Sequence, residues 1–192
     1  MAWNLTGVQR FSKLITGSNV IGAVLLNEFY KIQAQPFVGI AAYCVSTEPK
    51  SVLVFADENM DYSVPTDRGF HCWIETDDWI IDFSTPLFPM IARERNFPTP
   101  GCKMMQCKRS RAKKALNDLL VTGDFFLDRS AEFTEFTLKK FAAVPLHQDV
   151  IEICRQWFVM PPKQMHPKLT LCNQDGEHSC VAFSRFDING SW

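Results

Sequence analysis

Apolar side chains at Ile21, Val24, Leu25, Phe29 and Ile32 recur at three- and four-residue intervals, which gathers them on one stripe of a helix. Gly17, Ser18 and Asn19 precede that run with turn and N-cap residue types, so the helix is expected to begin near Ser18 and to stop before Pro36. Residues 37–45 and 51–55 are rich in β-formers and are separated by the polar stretch 46–50, the pattern of a strand pair. Residues 71–75 and 79–83 form a second pair around Thr76, Asp77 and Asp78, a link short enough to require a tight antiparallel turn. Beyond it, Pro86, Pro89, Pro98, Pro100 and Gly101 interrupt regular structure. Helical periodicity returns at 110–120 and 146–158, on either side of a short strand-like segment at 124–127. No segment repeats at a fixed period. The pattern predicts an α+β protein, with helices around a mainly antiparallel sheet.

The second hairpin carries the chemistry. Side chains alternate faces along a strand, so His71, Trp73 and Glu75 point one way while Cys72 and Ile74 point the other, and Cys72 is no partner for His71. With Asp77 and Asp78 as the two turn residues, Trp73 falls opposite Asp82 and His71 opposite Ser84, which makes His71 and Asp82 diagonal neighbours on one face. A carboxylate that accepts from one imidazole nitrogen fixes the tautomer and leaves the other free to act as a base. A histidine at a sheet edge and an aspartate at a turn also occur without any such role, so spacing alone leaves both readings open.

Composition narrows the setting. A chain of 192 residues suits one domain over 1–192, and 46% hydrophobic with 21% charged residues is ordinary for a folded chain. The formal net charge of -1 offers no field to attract nucleic acid or an anionic membrane. The longest apolar stretches, at 20–26 and 36–45, fall far short of the roughly 20 residues that cross a bilayer. No secretory leader is visible, and seven cysteines without framework spacing suit a reducing compartment, so the reading points to the cytoplasm.

The sequence Gly69-Phe70-His71-Cys72-Trp73-Ile74-Glu75, followed by Trp79-Ile80-Ile81-Asp82, resembles the H-x-W-x-E and strand-Asp signature of transglutaminase-like and papain-like proteins. The stretch from Phe70 to Pro89 resembles more closely an uncharacterised bacterial family, a numbered domain of unknown function in the cysteine proteinase fold. That resemblance implies a helix followed by an antiparallel sheet with further C-terminal helices, His71 as general base and Asp82 as its orienting carboxylate, with Glu75 on the same face. It implies amide hydrolysis or acyl transfer on a peptide, protein or small amide, and no cofactor. The resembling families carry their cysteine nucleophile where a helix opens upstream of the histidine strand, which here is Ser18, Asn19 or Val20, and none is cysteine. Three explanations stay open: a pseudoenzyme that binds through the same cleft, Ser18 as the nucleophile, or replacement of a cysteine in this slot. If the protein is active, backbone amides near Asn19 are expected to form the oxyanion hole.

Other clusters carry less. Cys44 follows an apolar run and reads as a core residue. Cys102, Cys107, Cys172, His178 and Cys180 supply zinc-ligand types without paired spacing, so no metal site is assigned. The basic run from Lys108 to Lys114 reads as a solvated first turn of helix, and Phe125, Phe126, Phe133, Phe136 and Phe141 read as core.

Overall fold

A computed structural model describes residues 5–57, 59, 63–94, 96–172, 176, 178–182 and 185–192, with side chains at 5–10 and 12–13 left aside. The first element, α1 (Leu5–Tyr30), runs without a break through Gly17, Ser18 and Asn19. The helix start expected near Ser18 is therefore corrected. Phe11 and Ile15 are buried and anchor the earlier turns, while the Ser18 hydroxyl and the Asn19 amide fold back on the Ile15 carbonyl instead of capping an end.

The chain then forms β1 (Gln35–Thr47), β2 (Lys50–Phe55), β3 (His71–Glu75), β4 (Trp79–Asp82), α2 (Phe88–Glu94), β5 (Met105–Lys108) and β6 (Phe125–Arg129). These six strands make one sheet, every pairing antiparallel. β1 is its hub. Gly39 pairs with both His71 and Arg129, and Ala41 with both Phe55 and Leu127. β6 holds one edge of β1 from Gly39 to Tyr43, and β3 and then β2 follow each other along the opposite edge. The junction between them is tight: a Cβ on Gly69 would collide with the backbone of Ala56 and Asp57. End-to-end placement of β2 and β3 brings the Phe55 ring to 4.4 Å from His71.

Two helices, α3 (Ala131–Ala142) and α4 (Pro145–Val159), and a separate hairpin of β7 (Lys168–Cys172) and β8 (His178–Ala182) complete the described chain. Ser130 caps α3 by accepting from the Phe133 amide, and the Thr134 hydroxyl donates to the Val38 carbonyl, tying α3 to β1. A bidentate Arg155–Glu28 pair ties α4 to α1. The helix expected at 110–120 is absent; short 3-10 turns stand at Arg109–Arg111 and Leu116–Asp118. The Asp124 carboxylate takes the Leu120 and Val121 amides, and the Lys113 amide donates to Phe125, so backbone donors that an α-helix would use are spent elsewhere. The basic run accordingly follows β5 as loop and 3-10 turn instead of opening a helix. Phe125 is core, but Phe136 lies on the outer face of α3 and is 50% exposed. Among the described residues no helix is long and apolar enough to cross a membrane.

The C-terminal half of α1 lies against the hairpin, with Ala23 and Leu26 packed on Ile74, Ile81 and Phe83. A Cβ on Gly22 would sit inside the Phe83 ring. Gly22→Ala is expected to destabilise by about 1–3 kcal/mol through overpacking, despite the better helix propensity of alanine. Urea denaturation checks this, and adding Phe83→Leu should recover part of the loss.

Candidate functional site

The hairpin register Ile74↔Ile81 and Glu75↔Ile80 centres the turn on Asp77 and Asp78. It leaves His71 and Asp82 completely buried, with His71 Nε2 2.7 Å from Asp82 Oδ2. Asp82 is the acceptor for more than the histidine. Tyr43 Oη donates to Oδ2 at 3.1 Å, while Oδ1 receives Asn19 Nδ2 at 3.1 Å, the Ser84 amide at 2.8 Å and the Ser84 hydroxyl at 2.6 Å. Burial alone would push the Asp82 carboxyl up. The His71 ring, by charge and hydrogen bond, with Ser84 and Asn19, outweighs it and holds the group below the usual aspartate range. The Tyr43 hydroxyl is driven well above its ordinary value, first by burial and then by the Asp82 charge, so it stays a donor.

Asn19 is a bracket between helix and hairpin. Its Nδ2 also reaches the carbonyls of Cys72 at 2.8 Å and Ile15 at 3.1 Å, and its Oδ1 accepts the Phe83 amide at 3.0 Å. Around His71 the environment is otherwise aromatic: Phe55, Tyr43 and Phe88 ring centroids lie at 4.4, 5.4 and 6.0 Å. His71 Nδ1 is buried without a hydrogen-bond partner among the described residues. In the neutral ring it is a lone pair with no donor; in the protonated ring it is an N–H with no acceptor.

The three slot residues do not supply a nucleophile to that nitrogen. The Ser18 hydroxyl donates to the Ile15 carbonyl at 3.1 Å, Asn19 is committed to Asp82 and its surroundings, and Val20 lines an apolar groove of about 420 Å³ with Ala23, Val24 and Pro36. Their backbone amides lie mid-helix and are engaged there, so the oxyanion hole expected near Asn19 is not formed in this conformation. Burial, and then the Asp82 charge, push the Cys72 thiol far up, and burial raises Cys44 and Cys107. Cys172 and Cys180 are exposed on β7 and β8. Cys102 Sγ contacts the Pro86 carbonyl and Cys107 Sγ a Trp192 oxygen, and among the described residues no three His, Cys, Asp or Glu side chains are grouped to hold a metal. Glu75 does not open onto the pair: it accepts from Trp73 Nε1 at 3.0 Å and faces Arg109 and Arg129 at 3.1 and 3.7 Å.

The roles of Tyr43 and Ser84 as donors to Asp82 escaped the sequence reading. A tyrosine inside the apolar run 38–45 needs a partner for its hydroxyl, and a serine two residues after an aspartate is placed to bond back to it. Both signals were in the chain, but neither names the acceptor.

Removing the carboxylate takes the acceptor from His71 Nε2, the Tyr43 hydroxyl and the Ser84 hydroxyl, so Asp82→Ala is expected to cost about 3–5 kcal/mol in urea denaturation. The pH dependence follows from the depressed carboxyl. The unfolded chain, with aspartate near about 3.9, takes up protons first, so the stabilisation is complete above that value and lost as pH falls through the lower folded value. Urea midpoints of the wild type should drop below about pH 4, and Asp82→Asn, weaker throughout, should show a shallower fall. Some slope remains from Asp57, held low first by Thr66, and from Asp124, held low against burial by the Val121 and Leu120 amides.

Comparison with known proteins adds family and fold. A solved structure described as "The crystal structure of genomics APC5867" is similar to this chain with a TM-score of 0.73 at 28% identity, over 99% of this chain and 97% of that one. No curated protein matches the chain. A family model matches residues 11–192, nearly the whole sequence, and the chain belongs to that family, described as "Protein of unknown function (DUF2026)".

Proposed function

We propose that this chain is a binding module on a papain/transglutaminase-like scaffold, a pseudoenzyme in which the His71–Asp82 pair is a buried polar node and no longer drives acyl transfer. The observation that carries the reading is the completely buried His71 Nδ1 with no partner. In a cysteine or serine hydrolase the imidazole nitrogen turned away from the carboxylate meets the nucleophile, and here, among the described residues, no thiol or hydroxyl bonds to it. The hairpin motif and the order of helix, antiparallel sheet and C-terminal helices support the lineage. The ligand class that fits such a cleft is a peptide, a protein segment or a small amide.

One observation favours the competing reading, a hydrolase or acyltransferase acting through Ser18. With Nε2 held by Asp82, the neutral ring keeps its lone pair on Nδ1, which is the form a general base needs. Fluorophosphonate and iodoacetamide probes, mapped by mass spectrometry, separate the two. Labelling confined to the exposed Cys172 and Cys180, and equal in wild type and a folded His71→Gln variant, is the expected result. An adduct on Ser18 or another residue that disappears in His71→Gln would restore the enzyme reading.

A further inference from the structure

We infer that α1 is a gate over the buried His71–Asp82 pair: the helix opens at Gly17, and the turns from Phe11 to Thr16 lift away to expose His71 Nδ1 to a ligand. The inference rests on the binding-module reading and adds its regulation. Thr16, Gly17, Ser18 and Asn19 are four consecutive residues of poor helix preference, placed in the middle of a helix of 26 residues. Space does not impose the glycine, because a Cβ at position 17 would come no nearer than 3.8 Å to Phe141, an ordinary contact. Gly17 thus differs from Gly22, where the Phe83 ring leaves no room.

The two residues that follow Gly17 already compete with the helix backbone. Ser18 Oγ and Asn19 Nδ2 both bond to the Ile15 carbonyl at 3.1 Å, a pattern that bends helices. If the helix began at Ser18 instead, the same hydroxyl would cap it by accepting the amide of Ile21. The two sides of the break are anchored differently. Asn19 is bonded to Asp82, Cys72 and Phe83, which fixes the C-terminal part. The N-terminal part is seated by Phe11 and Ile15, in the same apolar cluster as the Tyr43, Phe55 and Phe88 rings that surround His71. Lifting that part uncovers a nitrogen that lacks a partner in the closed form. To the neutral ring, whose Nδ1 is a lone pair, the matching ligand brings a hydrogen-bond donor, such as a peptide or amide N–H.

Amide hydrogen exchange on the full chain, with diethyl pyrocarbonate modification of His71 followed in parallel, tests the gate. In the wild type, amides of 11–16 should exchange at least about tenfold faster than those of 20–30. Gly17→Ala should slow both that exchange and His71 modification by about fivefold, the factor by which alanine favours a helical site over glycine, and Gly17→Pro should speed both. Even protection along α1, or His71 modification that Gly17→Ala does not change, overturns the inference; if Gly17→Pro does not fold, the alanine comparison decides. The outcome is separable from the probe labelling. Even protection without a His71-dependent adduct removes the gate and leaves the binding module, whereas such an adduct with fast exchange at 11–16 removes the module and leaves the gate.

Discussion

The buried Asp82 carboxylate is the constraint around which this fold is arranged. An ionised carboxylate inside an apolar core is costly unless donors replace the water it gives up. Here they come from four places in the chain: Asn19 on α1, Tyr43 on β1, His71 on β3, and Ser84 just after β4. No two neighbouring elements could supply them alone, so satisfying one charge fixes the mutual position of the helix and three strands. The same node also specifies register. A one-residue slip of β4 would turn Asp82 to the opposite face, away from His71, Tyr43 and Asn19.

β1 makes that convergence possible. Because it carries β3 and then β2 along one edge, Tyr43 can reach Asp82 while Phe55, at the end of β2, closes over His71. The sheet around the pair is held by antiparallel ladders, and the C-terminal half of α1 is fixed to it by Asn19 and by the close approach of Gly22 to Phe83. Thr16 and Gly17, residues of poor helix preference, stand in α1 just before that fixed half. Rigidity and access are thus assigned to different stretches of the same helix, divided at Gly17.

The sequence made the hairpin legible because a two-residue turn fixes pairing by arithmetic, and strand alternation then decides which side chains share a face. β1, β2 and α4 were legible for similarly local reasons. The start of α1 was not, since Gly17, Ser18 and Asn19 carry a genuine N-cap signal that the burial of Phe11 and Ile15 overrides, and burial depends on partners distant in the chain. The segment 110–120 misled in the opposite sense: its periodicity is helical, but Asp124 and Phe125 capture the backbone donors. At the site, His71 and Asp82 could be paired from spacing. Tyr43 could not, because its contact depends on how β1 registers against β3, and Asn19 was noticed for its position but not for its role as a bracket.

Whether such a pair works as a catalyst depends on what the second imidazole nitrogen meets. The carboxylate shares its charge among Asn19, Tyr43 and Ser84 as well as His71, so it is fully engaged before any reaction begins. Transferring a proton to Nδ1 in the closed form would place an N–H among Phe55, Tyr43 and Phe88 with nothing to accept it, a buried unsatisfied donor. Proton uptake at that nitrogen and admission of a polar partner are therefore tied to the same structural event. On the proposed reading the closed pair contributes stability without chemistry, and recognition through His71 begins only when its aromatic enclosure is opened.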